Sequence, residues 1–172
     1  MFDYSGDYES EKAGLKVVIF GSYENTGRKH LENLRTKLQE YGYRKASLVK
    51  DLPDPPGISE TSMSYELYAT KKSKHWIRMS DVNLFVLFNG IPYGSVMVEI
   101  VHFLTSFPDR IPCSSFLIEK ELDLQTLEIG NLRDHNCNLA YFDNIDDLKM
   151  LARSQCLMHL LENKCKMDNQ QT

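Results

Sequence analysis

Val82-Asn-Leu-Phe-Val-Leu-Phe88, followed by Asn89-Gly-Ile-Pro-Tyr-Gly-Ser-Val-Met-Val-Glu99-Ile100, decides the fold. The first seven residues form a short, almost wholly apolar run, which predicts a strand buried on both faces. A turn with Gly90, Pro92 and Gly94 ends it. Val96, Met97, Val98, Ile100, Val101, Phe103 and Leu104 then predict an apolar helix running to about Phe107. Strand, tight loop and helix in that order make one unit of a parallel sheet. Glu99 is the single acid in the first turns of this helix, just past the carboxyl end of the strand. Open α/β sheets bind ligands in that crevice. A carboxylate there can serve as nucleophile or as acid/base group. It can equally be an acid that complements the helix dipole. The fragment alone leaves both readings open.

The same alternation extends in both directions. Leu15-Lys-Val-Val-Ile-Phe20 predicts a buried first strand. Leu31, Leu34 and Leu38 recur at helical spacing, and Gly42 stops that helix. Lys45–Lys50 predicts a short second strand. Residues 51–63 carry three prolines and form a long loop, either a lid or a tolerated insertion. A helix is expected from Tyr65 to Met79, with Ala69, Ser73, Trp76, Ile77 and Ser80 on one face and Trp76 in the core. Lys71, Lys72, Lys74 and Arg78 are expected on a solvated face, with a phosphate-gathering role for one of them as the lesser alternative. Ser114–Ile118 and Asn138–Phe142 predict two further strands, and Ile145–Asn163 a closing helix. The fold class is therefore α/β: a Rossmann-like, flavodoxin-like three-layer sandwich with a mostly parallel sheet of about five strands and helices on both faces. Residues 1–14 are expected to be a flexible arm, 15–164 one domain and 165–172 a frayed tail. Residues 119–138 are read as an insertion in which Leu122, Leu124 and Leu127 pack locally.

A chain of 172 residues suits one domain with a sizeable core. The formal net charge of −4 speaks against a nucleic-acid polymer as partner. No apolar stretch approaches the ~20 residues that cross a bilayer, and no signal-peptide pattern opens the chain. Cys113, Cys137, Cys156 and Cys165 form no C-x-x-C pair, which fits reduced thiols and a cytoplasmic location. The scattered histidines give no metal-ligand spacing, and no cofactor is expected.

Gly21-Ser22-Tyr23 follows the first strand, so its loop opens on the same edge as the Glu99 loop. Glycine admits close backbone approach to a ligand. Ser22 and Tyr23 can hydrogen-bond a sugar or carboxylate, and Arg28, after Gly27, can meet a phosphate. The pattern is neither G-x-G-x-x-G nor a P-loop. Gly94-Ser95 opens the next helix, where free N–H groups favour an anion. His102 lies three residues beyond Glu99 and can share its face; partial burial is its alternative.

This ordered set resembles the nucleoside 2-deoxyribosyltransferase-like superfamily, most closely its 2′-deoxynucleoside 5′-phosphate N-hydrolase branch. The matching residues are Val18-Ile-Phe-Gly21-Ser22 with Gly27-Arg28, and His75-Trp76-Ile77-Arg-Met-Ser-Asp81-Val82. Tyr93-Gly94-Ser95-Val-Met-Val-Glu99-Ile100 and Tyr141-Phe142-Asp143 complete the set. The resemblance implies cleavage of the bond between base and deoxyribose, with Glu99 as nucleophile. It places Gly21, Ser22 and Tyr23 near the sugar and Gly94 and Ser95 near its 5′ end, with Tyr93 among the substrate-binding residues. It implies a homo-oligomer and a small nucleoside or nucleotide as ligand, with no membrane partner. Two departures stand out. Ser73 occupies a position where the family carries an aspartate, and Glu99 lies one residue further from Gly94 than the family pattern. Ser80, Tyr93, Ser95 and Glu99-Ile100 are also similar, more weakly, to Toll/interleukin-receptor-like domains, some of which cleave NAD. Three readings follow: an N-glycosidase or deoxyribosyltransferase; a nucleotide-binding or sensor module without chemistry; or an α/β interaction domain.

Overall fold

The computed structural model describes the backbone of residues 5–122, 130 and 132–168; the side chains of 5–7, 95, 98 and 163–168 lie outside that description. Five strands form one parallel sheet: β1 (Val17–Gly21), β2 (Ser47–Leu48), β3 (Val82–Leu87), β4 (Ser114–Glu119) and β5 (Asn138–Phe142). Their order is β2-β1-β3-β4-β5. The helices are α1 (Ser5–Gly14), α2 (Gly27–Glu40), α3 (Tyr65–Met79), α4 (Gly94–Ser106) and α5 (Ile145–Asp168). The fold is the expected α/β three-layer sandwich.

Every residue of β1 and β3 is buried, as suits central strands covered on both faces. Leu31, Leu34 and Leu38 of α2 meet Leu148, Ala152 and Cys156 of α5 on one face of the sheet. Ile77 of α3 and Val96, Ile100 and Phe103 of α4 fill the other. Phe85 of β3 centres that second layer, stacking on Phe20 at 4.8 Å and Phe116 at 5.0 Å between ring centroids. Neighbouring strands run in register from Val17–Val82 to Gly21–Val86 and from Asn83–Ser114 to Leu87–Ile118. The connection after β1 leads to one edge of the sheet and the connection after β3 to the other, so the switch point lies between their carboxyl ends.

Several elements depart from the expectation. Ser5–Gly14 is helical rather than a loose arm. The helix is tied down at its end by the buried Leu15 and packs Tyr8 against the α2/α5 layer. Gly42 has φ +100°, and a Cβ there would come within 3.0 Å of Glu9 Oε2, so α1 and the α2 turn meet closely. β2 is only two residues long, because Val49–Asp51 turns into a 3-10 helix. α5 continues to Asp168, through part of the expected tail; residues 169–172 lie outside the described residues, as do Leu124 and Leu127 of the expected insertion. Among the described residues no helix is long and apolar enough to cross a membrane.

The amino edge of the sheet is polar but paired. Asn83 is fully buried; its amide donates to the Ile77 carbonyl (3.3 Å) and Ser114 Oγ (3.4 Å), while its Oδ1 accepts from Ser80 Oγ (2.7 Å). Arg110 donates to the carbonyls of Ile77 and Ser80, closing the C-terminus of α3 with a cation. On the other face, Ser115 Oγ donates to Gln155 Oε1 (3.0 Å) and accepts from Asn138 Nδ2 (2.9 Å). It also contacts His159 Nε2 at 3.0 Å.

Candidate active site

β1 delivers Gly21 to the carboxyl edge. A Cβ at this position would lie 2.8 Å from Leu31 Cδ1, so glycine is what lets α2 pack against the strand end. Ser22 is buried, and its Oγ accepts from the Glu24 N–H at 3.3 Å, shaping the turn. Gly27 closes that turn, where a Cβ would strike the Ser22 carbonyl oxygen at 2.4 Å. Tyr23 thereby enters a pocket of about 290 Å³.

The floor of this pocket is Glu99, and its far wall is α3. Gly21, Tyr23, Val49 and Lys50 come from the strand ends of β1 and β2. Tyr65, Tyr68, Ala69, Lys72 and Ser73 come from α3, and Glu60 from the 3-10 turn before it. Glu99 is partly buried on α4, facing α3. Ser73 Oγ donates to Glu99 Oε1 at 2.6 Å. Burial pushes the Glu99 carboxyl up to about 7, against the pull of the Ser73 hydrogen bond, which favours the ionised form. A carboxyl so placed changes charge near neutrality. It can offer a lone pair to an electrophilic carbon on the alkaline side and a proton on the acid side.

Tyr23 is the second unusual group. Its hydroxyl is buried and makes no hydrogen bond of ordinary geometry among the described residues, the Lys50 backbone being a polar neighbour. Burial, reinforced by the Glu99 charge, pushes its phenol above the ordinary range. The Lys50 ammonium lies 5.1 Å from the centroid of the Tyr23 ring.

The 51–63 loop forms part of the pocket rim and is anchored at several points. Arg35 donates to Asp51 Oδ2 (2.6 Å), Trp76 Nε1 to the Pro53 carbonyl (3.1 Å) and Tyr68 Oη to Asp54 Oδ1 (2.6 Å). Lys72, expected on a solvated face, is buried instead. Its Nζ lies 3.1 Å from Asp54 Oδ1 and donates to Tyr68 Oη and the Lys50 carbonyl, each at 3.2 Å. Burial opposes the ammonium, but its bonds to Tyr68 and Asp54 prevail and raise its pKa. The lysine is buried because the loop supplies an acid that helical periodicity does not reveal. Trp76 is partly buried against the α3/α4 core.

Gly21, Tyr23, Ser73 and Glu99 thus converge on one pocket. Ser22 builds the loop behind it. Arg28 is exposed and pairs with Glu32 at 2.9 Å rather than lining the wall. Tyr93 precedes α4 and packs against the α3/α4 core; Gly94 and Ser95 open that helix, and the Ser95 side chain lies outside the described residues. His102 flanks a crevice of about 10 Å³ on the other side of Glu99, with Thr70 and Lys74. Lys50, Glu60, Tyr65 and Tyr68 are pocket residues that sequence reasoning missed as a site, and Lys72 entered it only as a minority phosphate-gathering candidate. The one available signal was the proline-rich loop, which announces a wall without saying which residues it carries. Among the described residues no group of three or more His, Cys, Asp or Glu could hold a metal ion.

Fold and pocket together define a Rossmann-like domain with a titratable carboxyl at the sheet's switch point. No family model matches the chain, and no curated protein matches it. Among solved structures the fold is similar to that of the CMP N-glycosidase BcmB of Clostridium botulinum, with a TM-score of 0.53 and 14% identity. The match covers 80% of this chain and 97% of that one. At that identity the likeness is one of fold.

Proposed function

We propose that the chain cleaves the N-glycosidic bond of a nucleoside or nucleotide, with Glu99 as nucleophile. The observation that carries this reading is the Glu99 carboxyl at the floor of a pocket at the switch point, held by the Ser73 hydroxyl at 2.6 Å. The motif order that resembles the nucleoside 2-deoxyribosyltransferase-like superfamily supports it. So does the shared fold with an enzyme whose name states CMP N-glycosidase activity.

In this reading the ionised Glu99 attacks the anomeric carbon. The C–N bond breaks, its electron pair leaves with the base, and a Glu99–sugar ester forms. Water then attacks the same carbon, the ester C–O bond breaks and the carboxylate returns; the water's proton neutralises the departed base. Negative charge beside an oxocarbenium-like transition state stabilises both steps. Ser73 steadies the carboxylate form, as a hydrogen bond to an anion does. The ligand is a small molecule, and the resemblance adds a homo-oligomer.

A second reading has its own observation. Ser73 stands where the resembled family has a carboxylate, and Glu99 is drawn toward its neutral form. A nucleotide-binding module without chemistry would look like this. Chromatography of free base after incubation with nucleosides, 5′-nucleotides and NAD separates the two. Base release by the wild type and none by Glu99→Gln supports the enzyme. Ligand-dependent thermal stabilisation without any base release supports the binding module.

A further inference from the structure

We propose that the Glu99 pocket prefers an uncharged nucleoside to its 5′-phosphate, with Glu60 at the mouth as the discriminating residue. The inference deepens the reading above and rests on it for the class of ligand.

The argument is one of charge pairing in the described wall. A phosphate monoester brings a charge of about −1.5 to −2 at neutral pH and needs unspent donors, best from arginine or lysine. Lys72 is buried and has three N–H groups. Its three partners are Asp54, Tyr68 Oη and the Lys50 carbonyl, at 3.1, 3.2 and 3.2 Å. Lys50 lies over the Tyr23 ring and pairs with Glu32 at 3.3 Å. Glu32 in turn holds Arg28 outside the wall, and Arg35 is held by Asp51. Each of these cations faces a carboxylate, with Lys50 and Arg28 sharing Glu32.

The acids are less balanced. Glu60 lines the pocket and has no ion pair or hydrogen bond among the described residues. Glu99, on the floor, adds a further negative charge once ionised. A phosphate entering this mouth meets Glu60 first and finds each wall lysine already engaged. A nucleoside has only hydroxyls and a base to place. The exposed Tyr65 offers it a hydroxyl for the sugar, and Tyr65 and Tyr68 offer rings for the base.

The test compares nucleosides with their own 5′-monophosphates, cytidine and CMP among them, at equal concentration and low salt. Thermal stabilisation of the wild-type protein and base release are read in parallel. The nucleoside is expected to stabilise more and to be cleaved at least tenfold faster. Raising salt to 0.5 M should narrow the difference, because exposed charges are screened. Glu60→Gln should raise the monophosphate's response relative to the nucleoside's. A monophosphate that stabilises equally or better, or no stabilisation by either, overturns the preference. An unchanged ratio in Glu60→Gln overturns the role of that residue. Nucleoside stabilisation without base release leaves the preference standing and refutes the glycosidase reading instead.

Discussion

The two edges of the sheet treat buried polar groups in opposite ways. At the amino edge, Asn83, Ser80, Ser114 and Arg110 bond one another and the end of α3, and Ser115, Asn138 and Gln155 do the same beneath α5. At the carboxyl edge, the Tyr23 hydroxyl makes no hydrogen bond of ordinary geometry among the described residues, and Glu99 is held by one hydroxyl. Buried polar groups cost stability unless paired. The amino edge spends its hydrogen-bonding capacity on the fold, whereas the carboxyl edge leaves part of its capacity unspent. Strand chemistry alone does not explain the contrast, since β1 and β3 are apolar at both ends apart from Asn83.

Three substitutions break or sharpen that contrast. The largest effect is expected from Glu99→Gln, which keeps shape and removes the proposed nucleophile. Base release should fall about 10³-fold or more, measured by single-turnover chromatography. Retention of most of the activity would end Glu99's role.

The same variant has a stability signature. A carboxyl whose folded pKa is raised binds a proton more tightly in the folded state than in the unfolded one. Its stabilising contribution is therefore complete below about 4.5 and is lost as pH rises through about 7. Glu99→Gln should thus gain up to about 3 kcal/mol over wild type at pH 8. It should gain little at pH 4.5. Urea denaturation at the two pH values reads the difference, and an equal gain at both would refute the burial of Glu99 as an acid.

Asn83→Ala attacks the other edge. It removes one hydrogen-bond partner each from Ser80 Oγ, the Ile77 carbonyl and Ser114 Oγ and should cost about 2 kcal/mol of stability. Its kcat at low temperature should stay within twofold of wild type. A collapse of kcat in folded Asn83→Ala protein would mean that the edges are coupled rather than distinct.

Ser73→Ala should have the mildest consequence. Losing a donor to the ionised form raises the Glu99 pKa, so the acid limb of the rate profile moves to higher pH. Activity should drop roughly fivefold at pH 7 and recover by pH 9. A uniform loss at every pH would show that Ser73 touches the substrate rather than tuning the acid.

Much of the architecture was legible because parallel strands advertise themselves. Leu15–Phe20, Val82–Phe88 and Ser114–Ile118 are short apolar runs, and no other element needs such sequence. The bounds of α3 were legible from Ser64, whose Oγ accepts from the Leu67 N–H at 3.4 Å, and from the extended Ser80 beyond it. Glu99 was legible as a lone acid in an apolar helix. Lys72 was not, since its burial depends on Asp54, eighteen residues away along an irregular loop. Glu60 was hidden for the same reason: a loop's path is set by its anchors, here Arg35, Trp76 and Tyr68, and not by any periodicity. Ser5–Gly14 looked like an arm because its own pattern is weakly amphipathic; contact with the α2 turn holds it instead.

β2 meets the rest of the sheet through only Val18–Ser47 and Ile19–Leu48. Val49 and Lys50, which follow directly, are pocket wall. An edge so briefly laddered is the first part of a sheet to detach in sub-global opening. Peeling of that edge and gaping of the pocket are therefore one fluctuation, and amide-exchange protection at Leu48 to Lys50 becomes a gauge of occupancy. A bound molecule that bridges Tyr23 and α3 would act as the missing rungs of the ladder.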